Sequence, residues 1–171
     1  MDVKAQLDEL QKNSDQQWER YRQLLPQSDD VELVVLKGHL IIEELLYAVV
    51  QEHCANPDAV IKAKLSFAQL VYLAQALVKL PTDATWWKSI SLLNAIRNSL
   101  VHSLEPKQLE SRLNDLNSSC RVPDELLQEN YAVSSKPAKI AARCICFIIG
   151  QLSVIGIVSA FIERNLRMPK D

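Results

Sequence analysis

Between residues 30 and 54 the chain carries Val31, Leu33, Val34, Val35, Leu36, Leu40, Ile41, Ile42, Leu45, Leu46, Val49 and Val50, with no proline and a single glycine, Gly38. Apolar residues at every helical phase describe a helix that must be covered on most sides, so it belongs at the centre of whatever forms. The whole chain has only 3 Gly and 7 Pro, so the sequence predicts an all-α protein: an antiparallel bundle of five or six helices with short connections. At 171 residues it reads as a single helical domain, residues 1–171, long enough to bury a core.

Flanking helices follow from punctuation. Asp2 to Leu25 is amphipathic and ends at Pro26; Ser28-Asp29-Asp30 then caps the central helix. Polar residues on the central helix form two stripes, Glu32/His39/Glu43 and Lys37/Glu44/Gln51, and Gly38 between them admits a close helix crossing. Asn56-Pro57-Asp58 marks a turn, with room for a short helix to about Leu65, and Ser66 caps the next, through Leu80. Thr82 and Asp83 cap a helix over about 84–104, whose adjacent Trp86 and Trp87 point about 100° apart, one inward and one toward a rim or subunit contact. Glu105-Pro106 ends that helix.

An amphipathic segment, Lys107 to Leu116, comes next. The loop Asn117-Ser118-Ser119 and Pro123 is expected near the end of the 84–104 helix, with Arg121 adding positive charge there. A turn at Pro123 to Leu127 leads to Ser134-Ser135-Lys136-Pro137, the start of a long last helix over about 137–166. Small residues Gly150, Ser153, Gly156 and Ala160 along it invite a close backbone approach. Cys144 through Ile162 is uncharged and long enough to span a bilayer, but Gln151, Ser153 and Ser159 interrupt it and no aromatic belt flanks it. It reads as a buried bundle helix, with no membrane partner.

Net charge −2 and a pI near 5.9 argue against a whole-surface nucleic-acid binder; any RNA contact is local. Four cysteines, Cys54, Cys120, Cys144 and Cys146, have neither zinc-site nor disulfide-framework spacing, which fits a reducing cytoplasmic setting. The amino terminus lacks the apolar core of a signal peptide. Phosphate loops, HExxH pairs and nucleophile elbows are absent, so no metal site and no cofactor is expected.

The candidate chemistry lies in Leu93 to His102. With Ile90 set at zero on a helical wheel, Trp86, Leu93, Leu100, Val101 and Leu104 share one arc, and Arg97 falls near its middle. Beside it Asn94, Asn98 and His102 follow at i, i+4 and i+8. A charge in an apolar seam needs an acidic partner or a subunit cleft, and Glu43 or Glu44 is the expected partner. His39 and Glu43 are candidate supporting residues, the carboxylate neutralising Arg97 and orienting an imidazole. The plainer alternative has Arg97 snorkelling to solvent, His102 as an ordinary helix-end residue, and His39 with Glu43 as a solvated surface pair.

Arg97-Asn98-x-x-x-His102 resembles the Arg-polar-x-x-x-His motif of HEPN domains, a helical family that includes metal-independent ribonucleases of toxin and phage-defence systems. The preceding helix, Leu36 to Leu46, resembles that family's long apolar helix, and the likeness spans about residues 30–105. The resemblance implies a HEPN-like bundle and a homodimer whose two Arg–His motifs meet across a two-fold cleft. It implies an RNA substrate cleaved through 2′-hydroxyl attack, and a cognate antitoxin protein as a partner. On that pattern Arg97, Asn98 and His102 would be catalytic and Glu43, His39 and Asn94 supporting. A non-catalytic interaction or nucleotide-binding module of the same fold is the competing reading. A sequence-specific DNA regulator finds no recognition helix here.

Overall fold

The computed structural model describes residues 3–78, 85–103, 105–122 and 133–166. Within them it is all helix: α1 (Val3–Leu24), α2 (Val31–Glu52), α3 (Pro57–Lys62), α4 (Phe67–Leu77), α5 (Thr85–His102), α6 (Leu109–Cys120) and α7 (Lys136–Leu166). Among the described residues seven helices stand where a bundle of five or six was expected, and the short helix at Pro57, α3, ends at Lys62 rather than about Leu65. The expected Thr82/Asp83 cap, Leu80, Leu104 and the turn at Pro123–Leu127 lie outside the described residues.

Central placement of α2 follows from its composition. Val34, Val35, Ile42, Leu46 and Val50 are almost fully buried, and α2 packs most extensively against α7, then against α4, α5 and α3. One hydrophobic cluster draws buried side chains from all seven helices. α7 crosses α2 closely at Gly38, where a Cβ would stand 2.8 Å and 2.9 Å from Cγ1 and Cγ2 of Ile145 and closer still to Cδ1. Only glycine leaves α7 room there. The small-residue stripe of α7 behaves otherwise, since a Cβ on Gly150 or Gly156 would meet nothing within 4 Å among the described residues.

As for α7 itself, it is long and apolar enough to cross a membrane, and half of that apolar window, Lys136–Gly156, is buried inside the protein. Ala138, Ala141, Ala142, Cys144, Ile145, Ile148, Ile149 and Leu152 form its inward face. The thiol of Cys144, beside Cys120 and shut away from water, is pushed up from its ordinary pKa and stays protonated.

The side-chain caps of α2 and α4 are local. Asp30 Oδ1 accepts from the backbone N–H of Glu32 at 2.9 Å and Leu33 at 3.1 Å, capping α2. Ser66 and Gln69 close a reciprocal capping box on α4. Asp29, expected to join the α2 cap, instead accepts from the backbone N–H of Ser134 at 2.6 Å and of Ser135 at 2.8 Å, and from the Ser134 hydroxyl. The start of α7 is therefore tied to the α1–α2 connection.

The path of α6 is fixed by two contacts. Ser89 Oγ and Ser119 Oγ lie 2.8 Å apart, and Arg112 Nη1 donates to the Ala95 carbonyl at 3.3 Å, so α6 runs back antiparallel along α5. Asn117–Ser119 are helical and lie beside the start of α5. The expectation of a loop and an Arg121 charge near His102 is thus reversed, because the hairpin carries them to the opposite end.

Candidate functional site

The seam of α5 is rotated from the one drawn on the sequence. Buried positions are Trp86, Trp87, Ser89, Ile90, Leu93, Ile96 and Leu100, so past the first turn the buried stripe centres between Ser89 and Leu93, not on Ile90. Arg97 consequently stands at the edge of that stripe, half-buried, and Val101, assigned to the apolar arc, is 48% exposed. Both tryptophans are inside, stacked with ring centroids 4.0 Å apart, so neither lies on a rim. They lie in the first turns of α5, where the core can enclose two adjacent directions at once.

Turned this way, α5 opens a cleft of about 590 Å³ against α2 and the beginning of α4. From α2 come Leu36, His39, Leu40 and Glu43; from the α4 start, Ser66, Phe67 and Ala68; from α5, Asn94, Arg97 and Asn98. Five of the six residues singled out in the sequence therefore meet in one cavity. His102, the sixth, is the exposed last residue of α5 and is not part of the lining. It is five residues beyond Arg97, about 140° further round the helix and about 7.5 Å further along it.

Contrary to the surface-pair alternative, His39 is only 5% exposed. Its ring stacks on Phe67 with centroids 4.0 Å apart, and Nε2 lies 3.1 Å from Asn94 Oδ1. Since that oxygen can only accept, Nε2 carries the proton. Burial holds the imidazole below its ordinary pKa, the Asn94 bond opposes this in part, and the Arg97 charge adds to the lowering. His39 is a neutral floor to the cleft. Asn94 and Phe67 orient it, not Glu43.

Arg97 Nη1 donates to Asn98 Oδ1 at 3.0 Å. No described carboxylate forms a salt bridge with it: Glu44 reaches across to α1, where Arg20 Nη1 lies 2.6 Å from its Oε1, and Glu43 shares the cleft without closing on Arg97. One carboxylate and one guanidinium thus face the same cavity, beside apolar walls from Leu36, Leu40 and Phe67. Such an arrangement suits a ligand with an anionic group, a flat apolar face and hydrogen-bond donors. Among the described residues no three His, Cys, Asp or Glu side chains are grouped so as to hold a metal ion.

Phe67, Ser66 and Ala68 were not foreseen as part of the site. The capping box at Ser66 announces where α4 starts, but nothing local says that this start faces α5. No protein-family model, curated protein or solved structure gives a significant match to this chain.

Proposed function

We propose that the protein is a HEPN-like, metal-independent endoribonuclease of the toxin or defence type that acts as a homodimer. The observation that carries this reading is an Arg97 guanidinium held by Asn98, without a described carboxylate neutralising it, five residues before a solvent-exposed His102 on the same helix. Arg97 clamps a phosphate bidentately, and an imidazole is the side chain suited to moving the protons.

The reaction needs no nucleophile from the protein. A base takes the 2′-hydroxyl proton, the 2′-oxygen attacks phosphorus, the bond to the 5′-oxygen breaks, and an acid protonates the departing oxygen. The products are a 2′,3′-cyclic phosphate and a 5′-hydroxyl. One His102 cannot be base and acid in a single concerted step. Its divergence from Arg97 around α5 also favours a composite site in which each protomer supplies one imidazole and one guanidinium. A cognate antitoxin would act by covering these groups.

One observation favours a second reading, a non-catalytic nucleotide-binding module: Arg97 and Asn98 line the cleft and His102 does not. The deciding experiment is cleavage of mixed cellular RNA in excess chelator by wild type and by identically prepared His102→Ala. The expected result is cleavage by wild type only, leaving cyclic phosphate ends. Equal activity in both removes His102 from the mechanism, and no cutting by wild type leaves the binding module.

A further inference from the structure

We propose that the cleft between α2, α4 and α5 is a base-reading pocket that selects guanine next to the phosphate held by Arg97, with Glu43 as the residue that reads it. The proposal rests on RNA being the ligand, as above, and adds which base the cavity accepts.

Size is the first argument. A cavity of about 590 Å³ falls within the range that holds small organic ligands, roughly 300–1,000 Å³, and takes one nucleotide with room for solvent. Shape and polarity are the second. Leu36 and Leu40 of α2, the latter 57% exposed, offer apolar surface to the flat face of a base. Beneath them the His39–Phe67 stack, pinned by Asn94, makes a rigid and uncharged floor.

Glu43 decides among bases. An ionised carboxylate only accepts, through two oxygens side by side. Guanine alone among the RNA bases presents two adjacent donors on its Watson–Crick edge, N1–H and the 2-amino group. Uracil presents one N–H between two carbonyls, and adenine and cytosine place an acceptor nitrogen beside their amino group, where its lone pair faces the carboxylate. Across the cleft Arg97 supplies the charge for the neighbouring phosphate, so donor edge and anion are sorted to opposite walls.

The test uses binding as well as cleavage, so that the two readings fail separately. Guanosine, inosine and adenosine 3′-monophosphates are titrated calorimetrically into wild type, Glu43→Gln, Glu43→Asp and His102→Ala. Wild type is expected to bind the guanosine nucleotide at least tenfold more tightly than the adenosine one, with inosine, which lacks the 2-amino group, between them. Glu43→Gln should bring the three within about threefold, Glu43→Asp should restore part of the preference, and His102→Ala should retain it. Guanosine preference without RNA cleavage keeps the pocket and overturns the nuclease; cleavage with no preference at guanosine does the reverse. Equal affinities in wild type, or an unchanged preference in Glu43→Gln, overturn the pocket.

Discussion

His39 Nε2 and Asn94 Oδ1 lie 3.1 Å apart, a hydrogen bond that joins the central helix to the motif helix across 55 positions of sequence. It fixes the imidazole proton on Nε2 and makes the cleft floor part of the core.

Breaking that bond from one side leaves a buried N–H without a partner. Asn94→Ala is expected to cost about 1–3 kcal/mol in urea unfolding, and the double variant His39→Leu/Asn94→Ala less than the sum of the two single changes. Strict additivity would show that the two side chains do not interact.

His39 also sets a pH dependence. Its folded-state pKa lies below the unfolded value, so the folded protein binds fewer protons and protonation favours unfolding. Its contribution is fully present above about pH 6.5 and is lost as pH falls through that value toward the folded pKa. Urea midpoints of wild type should therefore decline between about pH 7.5 and 5 more steeply than those of His39→Gln, and parallel curves would contradict this.

Gly38→Ala tests the crossing of α2 and α7. The added methyl group overlaps three atoms of Ile145, and overpacking of this kind costs about 1–3 kcal/mol. Ile145→Ala in the same chain should recover part of the loss, a coupling that calorimetric melting can read.

Asp29→Asn should lower the urea midpoint without moving the slope. The carboxylate accepts from the Ser134 and Ser135 backbone and the Ser134 hydroxyl, which holds its pKa below the ordinary range. This support is present above about pH 4 and is lost as the carboxylate protonates. The gap between wild type and variant should therefore narrow as pH falls below about 4 toward the lowered folded pKa.

For the proposed chemistry, Arg97→Lys should fall in RNA cleavage by roughly a hundredfold or more with the fold intact, because an ammonium keeps the charge but not the two-pronged geometry. Light scattering at tens of micromolar should give a dimer; a monomer would leave the composite site without its second half.

Much of the architecture was legible because it is written in local chemistry: Pro26, the Asp30 cap, the Ser66–Gln69 box and the saturation of α2 with aliphatic residues. The wheel of α5 misled for one reason. The arc drawn there left Ser89 out, yet it is fully buried and satisfied by Ser119 of α6, so the true seam passes through it and pushes Arg97 to the edge. Asp29 shows the same blindness. Its sequence neighbours suggest a local cap, and only the fold brings Ser134 within reach. Five of the six candidates named from two helices line one cleft, whereas Phe67 and Ala68 required knowing which end of α4 meets α5.

Because α2 is the wall against which α3, α4, α5 and α7 all rest, its amides from Gly38 to Leu46 can reach deuterated solvent only when the whole bundle opens. His39 lies inside that slowest-exchanging stretch, while His102 is the exposed last residue of α5, beyond buried Leu100, where helix ends fray first. The cleft floor and the imidazole proposed for proton transfer are therefore separated in time as well as in space, one renewed only by global unfolding and the other by the briefest local breathing.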